Sequence, residues 1–312
     1  MSNFPIRASL VIAVLGLQAA QASIVLSPSG TSSVNYDFDG QRSPRWSGGA
    51  LLTVDGDSTG SPIIRVFGRD GQEISDLTVA IPQAKFISVI GIGRGETGLV
   101  AASGSAVDTQ GKHNSFLALF PPNPAEEKVI ALNEYSAQLV TVAADGTVWT
   151  AGLAGNPRQP TGDAIRHFDA NGRLIGSLIP TSSFSSSISL TSPHNWLAAA
   201  GNRVGFFAPA EGRYIEFSLD GRVTADIRTA AFGDTETVSG FALTNDGRAL
   251  VSSQVSSHPR QLKLYNFDTR SGAHTNVGAP NGMSRLYGGE GNSVVGRTGS
   301  TSFTFFTVQD LR

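Results

Sequence analysis

Cysteine is absent from all 312 residues, which rules out a disulfide framework, a thiol nucleophile and a lipid-modified cysteine. Stability has to come from the packed core alone. Charge is sparse as well: 15% of residues are charged, the formal net charge is -2, and no run of Lys or Arg occurs. A nucleic-acid binder needs a basic stripe, so that class is disfavoured. Long apolar runs are missing. The stretch 8–17 is only half of the ~20 residues that a membrane-crossing helix requires, and no other stretch comes closer to spanning. Nowhere does a long Ala/Glu/Lys/Leu-rich segment with helical period appear.

Glycine is plentiful, with 36 residues, and proline contributes 15. Together they imply many turns and therefore short strands. The start of the chain has a different layout. A short polar segment with one cation, Arg7, precedes the apolar stretch 8–17, and Ala20-Gln21-Ala22 fits the small-x-small cleavage rule. This is the arrangement of a secretory signal peptide over 1–22, cleaved after Ala22, and it predicts a secreted or periplasmic protein. Residues 23–312 then form the mature domain.

One motif recurs about every 50 residues, the period of a propeller blade. An apolar-aromatic strand runs into a tight Asp/Asn-Gly turn: Ile64-Arg65-Val66-Phe67 before Asp70-Gly71, Ile165-Arg166-His167-Phe168 before Asn171-Gly172, Tyr214-Ile215-Glu216-Phe217 before Asp220-Gly221, and Leu262-Lys263-Leu264-Tyr265 before Ser271-Gly272. Two-residue turns demand positive φ, which Asn, Asp and Gly tolerate. Weaker copies end at Phe120 and Phe306. A second motif, a turn followed by a short β-branched strand, precedes each copy, as in Asp145-Gly146-Thr147-Val148-Trp149 and Gly48-Gly49-Ala50-Leu51-Leu52. A further apolar segment comes before that, giving four strands per unit and six units. The last unit lacks its fourth strand, and Ile24-Val25-Leu26 is an orphan strand ahead of the first. The expectation is an all-β fold: a single six-bladed β-propeller of four-stranded blades, with the N-terminal strand completing the last blade and closing the ring.

Asp145-Gly146-Thr147-Val148-Trp149-Thr150-Ala151 followed by Ile165-Arg166-His167-Phe168-Asp169-Ala170-Asn171-Gly172-Arg173 resembles the repeat of six-bladed propellers of the NHL type. The resemblance implies the fold. It implies no single activity, because such propellers include protein-binding, RNA-binding and enzymatic members.

Propeller sites lie at the central channel or on one face. Taking 34–38, 86–91, 136–143, 196–199, 238–244 and 284–287 as the innermost strands leaves Asp37 and Arg285 as the channel charges. Gluconolactonase-like propellers hold a divalent cation there with several carboxylate and amide oxygens; this chain offers Asp37 and Asn35, so no metal and no cofactor is expected. His113, His194 and His258 fall in loops on one face, and solvated loop histidines explain them more simply than a zinc site. His167 and His274 read as structural. Asp55-Gly56-Asp57-Ser58-Thr59-Gly60 resembles the start of a calcium loop but has Val66 where the bidentate Glu belongs, so a plain turn is expected. Gly91-Ile92-Gly93-Arg94-Gly95 lacks the helix that a phosphate loop needs and reads as hairpin glycines. The segments 152–163 and 181–195 read as longer loops, where binding tends to reside, with Arg158 and Asp163 the polar residues of interest. Trp149 and Trp196 are assigned to blade packing.

The function expected from this inventory is that of a non-enzymatic scaffold, a monomer binding a protein, peptide or glycan on one propeller face. The alternative is a metal-dependent lactonase-like hydrolase or a lyase with its site at the channel.

Overall fold

The computed structural model describes residues 24–35, 42–56, 61–156, 159–232, 236–255 and 258–310. These build six antiparallel sheets. After β1 (Ile24–Ser33), the first blade contains β2 (Arg42–Ser47), β3 (Ala50–Asp55), β4 (Ile63–Phe67) and β5 (Glu73–Thr78). The second has β6 (Ala84–Arg94), β7 (Val100–Asp108), β8 (His113–Phe120) and β9 (Lys128–Ala131). The third has β10 (Tyr135–Val142), β11 (Val148–Asn156), the two-residue β12 (Gln159–Pro160) hairpinned onto β11, β13 (Asp163–Phe168) and β14 (Leu174–Pro180). The fourth has β15 (Trp196–Ala200), β16 (Arg203–Ala208), β17 (Arg213–Ser218) and β18 (Val223–Arg228), and the fifth β19 (Glu236–Leu243), β20 (Ala249–Val255), β21 (His258–Phe267) and β22 (His274–Asn276). The sixth has β23 (Arg285–Glu290), β24 (Ser293–Arg297) and β25 (Ser302–Asp310). Its fourth strand is β1, which pairs with β25 from Ile24 opposite Asp310 to Ser33 opposite Ser302. The architecture is a six-bladed β-propeller.

The strands following the inner ones are apolar on both faces because both faces are covered. In β3, Ala50 and Leu52 pack toward the second blade, while Leu51 turns toward the sixth. In β16, Val204 and Phe206 face the third blade and Phe207 the fifth. The core is thus divided into six clusters between successive sheets, one of which joins Trp46, Leu51 and Phe67 of the first blade to Tyr287, Val295, Phe303 and Phe305 of the sixth. Fully burying one such side chain contributes about 1.5–3 kcal/mol.

The turns follow the expected chemistry. Asp169 accepts the backbone N–H groups of Asn171 and Arg173 on one carboxylate oxygen, at 2.9 Å each, and Gly172 takes a φ of 77°. Asp70, Asp108 and Asp268 cap their turns in the same way.

Two expectations are corrected. The inner strand of the first blade is β2, not 34–38: Gly48-Gly49 is a two-residue hairpin turn, so its partner strand must end at Ser47. The glycines at 91 and 93 are not hairpin residues but sit within β6. A Cβ on Gly93 would lie 2.9 Å from both the Val140 carbonyl oxygen and the Thr141 Cα of the next inner strand. Their small size lets neighbouring inner strands meet.

Candidate functional site

The six inner strands (β2, β6, β10, β15, β19 and β23) run in the same sense, each packed against the next, with β23 against β2. Three successive cavities, lined by described residues, follow the axis that these strands surround. The upper one, of about 260 Å³, is lined by Arg45, Val54, Val89, Ile90, Ile92, Gln138, Leu139 and 191–193. A narrower one, of about 40 Å³, follows at 45–47, Ile92, 140–141, 196–199, Phe241, Leu243 and 287–289. The lowest, also about 40 Å³, lies among 48–49, Glu96, Val142, Asn245 and 289–291. Residue numbers rise from the first cavity to the last along β2, β6 and β10, and from the second to the last along the other three inner strands, which defines an upper face, where these strands begin, and a lower face.

Arg45 lines both upper cavities. Its guanidinium carbon is 5.1 Å from the centroid of the Trp196 ring, within range of a cation–π contact. Burial, reinforced by the positive charge of Arg285, pushes the Arg45 guanidinium down to about 10. Trp46 and Trp196 both line the narrow cavity, and neither buried indole N–H has an acceptor among the described residues. The lower end has the opposite character. Glu290 is raised by burial, with Arg69 3.3 Å away and Glu96 contributing repulsion. Among the described residues, the channel charges are thus cationic above, at Arg45 and Arg285, and acidic below, at Glu290 and Glu96.

Of the residues singled out from the sequence, Arg285 opens β23 half-buried and acts electrostatically on Arg45. His194 is exposed just beyond the cavity-lining 191–193 segment, and its Nδ1–H donates to the Val238 carbonyl at 3.1 Å. His113 is exposed at the start of β8, and His258 opens β21 opposite Val255. Asp163 opens β13, half-buried, and its charge acts on Arg166, which stacks 4.0 Å from the Tyr135 ring centroid. Asp37 and Arg158 lie outside the described residues. Among those described, no three His, Asp or Glu side chains converge in a way that would hold a metal ion.

The segments expected to be long loops are more structured. Residues 152–156 continue β11, which folds back onto β12. The 181–195 connection contains a short helix, α1 (Ser187–Leu190), anchored by buried Leu190 and by Asn195, whose side-chain amide donates to the Ser189 carbonyl at 2.6 Å. Trp196 is only half-buried and forms channel wall as well as blade contact. Arg45 escaped the sequence reading because the inner strand was set too early; the Gly48-Gly49 turn was the signal that could have found it.

No family model matches the chain, and no curated protein matches it in sequence. Solved structures do. A candidate exported protein of Bacteroides fragilis is similar at 9% identity, covering 93% of this chain and 96% of that one, with a TM-score of 0.55. A luciferin-regenerating enzyme aligns at 13% identity over 91% and 96%, with a TM-score of 0.49. The β-propeller domain of the trilobed protease of Pyrococcus furiosus aligns at 13% identity over 78% and 70%, with a TM-score of 0.43. At such identities the likeness is one of fold. No described helix is long and apolar enough to cross a membrane.

Proposed function

We propose that the protein is a secreted or periplasmic binding scaffold, acting as a monomer, that receives a protein, peptide or glycan on its upper face, at the mouth of the channel. The observation that carries this reading is the upper cavity. Three blades wall it, and the 191–193 segment, held in place by α1, borders it. Concave sites of this kind, mostly apolar with a few convergent polar groups, are where ligands bind. Arg45, Gln138, Thr191 and Ser192 are the polar groups here, set against valine, isoleucine and leucine.

Export is supported by the layout of residues 1–22 and by the similarity to a candidate exported protein. The NHL-type reading rests on the third unit, where Asp145 binds the Thr147 N–H in a turn and Trp149 is core; these are structural roles that leave function to the channel mouth.

The experiment is a screen of the purified mature chain against peptide and glycan arrays, with each ligand located by hydrogen exchange. The expected outcome is protection of 45–46, 89–92, 138–139 and 191–193. Protection confined to outer strands or to the lower face, or no ligand at all, would contradict the reading.

A further inference from the structure

We infer that the upper cavity is a carboxylate site: Arg45 receives the acid group of a ligand whose short apolar body lies along Val89, Ile90, Ile92 and Leu139. The inference rests on the binding-scaffold reading and names the chemistry of the same site.

Three observations carry it. First, Arg45 lines the cavity with no counter-charge beside it: no described carboxylate forms an ion pair with it, and its guanidinium lies over the Trp196 ring. Arg45 is half-buried, so its charge is incompletely hydrated and gains from a partner, and the planar fork of an arginine is the donor set best matched to a carboxylate. Second, the surroundings add positive charge and a donor. Arg285 begins the neighbouring inner strand, and the indole N–H of Trp196, in the narrow cavity that Arg45 also lines, has no acceptor among the described residues. Buried donors without acceptors are rare enough to call for an explanation. The described carboxylates of the inner strands are committed elsewhere. Glu236, at the start of β19, accepts from Lys263, Ser253 (2.6 Å) and Tyr265 (2.7 Å), and Glu290 is at the lower end of the channel with Arg69. Third, the remaining wall is aliphatic and the space is about 260 Å³, small against the roughly 300–1,000 Å³ of drug-sized pockets. That suits a small acid with a short hydrocarbon body.

Two sources present this chemistry, a free short-chain organic acid and the C-terminus of a peptide ending in an apolar residue. Calorimetric titration of the mature protein with hexanoate, with N-acetyl-alanyl-leucine and with its C-terminal amide separates them. The expected result is that at least one acid binds, that the amide does not, and that Arg45→Gln weakens binding roughly ten- to a hundred-fold, the loss of one charge-assisted pair. Binding of both acids points to a free acid group as sufficient; binding of the peptide acid alone points to a peptide terminus. Thermal melts establish that Arg45→Gln is folded, and Arg285→Gln, expected to weaken binding less, serves as the second variant. Equal binding of acid and amide, or full affinity in folded Arg45→Gln, overturns the carboxylate assignment while leaving a binding propeller intact. No binding by any probe overturns it too, and the array screen then decides separately whether the upper face binds anything.

Discussion

The indole of Trp46, on the first inner strand, meets the ring of Phe305, on β25 of the last blade, edge-on, with centroids 5.0 Å apart and planes at 87°. Phe303 approaches the same indole at 5.4 Å. This contact joins the beginning and end of the chain through a cluster buried as deeply as those between sequence neighbours. Aromatic pairs in this geometry add about 0.5–1.5 kcal/mol beyond the area they bury.

Trp46→Ala should therefore lower the unfolding free energy by about 3–5 kcal/mol, as large-to-small aromatic truncations in cores do. Trp46→Phe should cost less. Urea denaturation of both variants checks this, and a Trp46→Ala protein of unchanged midpoint would show that the first and last blades do not share a core.

Gly93 tests the contact between inner strands. Its missing Cβ faces backbone atoms of Val140 and Thr141, which have no side-chain freedom with which to yield. Gly93→Ala should destabilise by about 1–3 kcal/mol, the range for overpacking a filled core. Gly30→Ala is the control, since a Cβ there meets only the Phe305 ring edge at 4.0 Å; its effect should stay near zero.

Acid sensitivity should trace to two histidines. His167 stacks on Trp149 at 3.9 Å and 19°, and His274 on Phe232 at 4.1 Å and 20°. Burial lowers both below the ordinary value of 6.5. The folded state therefore holds them neutral, and below about pH 6.5 the unfolded chain binds protons that the folded chain refuses. Their contribution is complete above 6.5 and is lost as pH falls through that value toward the folded ones. Stability in urea should drop between about pH 7.5 and about pH 5.5, and the drop should be smaller in a His167→Gln, His274→Gln double variant. An identical slope in that variant would move the effect elsewhere.

The sequence made the blade count, the hairpins and the pairing of Ile24-Val25-Leu26 with the end of the chain readable, because each rests on local signals: alternation, Asp-Gly turns and an unpartnered strand at either end. The site was harder to read. Arg45 falls just before a Gly-Gly turn in a stretch, Arg-Ser-Pro-Arg-Trp-Ser, that has little strand propensity, so its place on the channel follows only from the partner strand β3. Trp196 looked like core because tryptophan usually is; that one edge of it faces the channel depends on the neighbouring blades. Gly91 and Gly93 were ambiguous for a similar reason, since glycine serves turns and close backbone approaches equally well.

The arrangement of six sheets about one channel requires β1 to belong to the last blade, and the absence of cysteine makes this directly measurable. Val25 and Gln309 are register partners and both are exposed. A Val25→Cys, Gln309→Cys variant should form an intramolecular disulfide on mild oxidation and gain about 2–4 kcal/mol, lost again on reduction. Two thiols that stay free in the folded, oxidised protein, or that link only between molecules, would contradict the account.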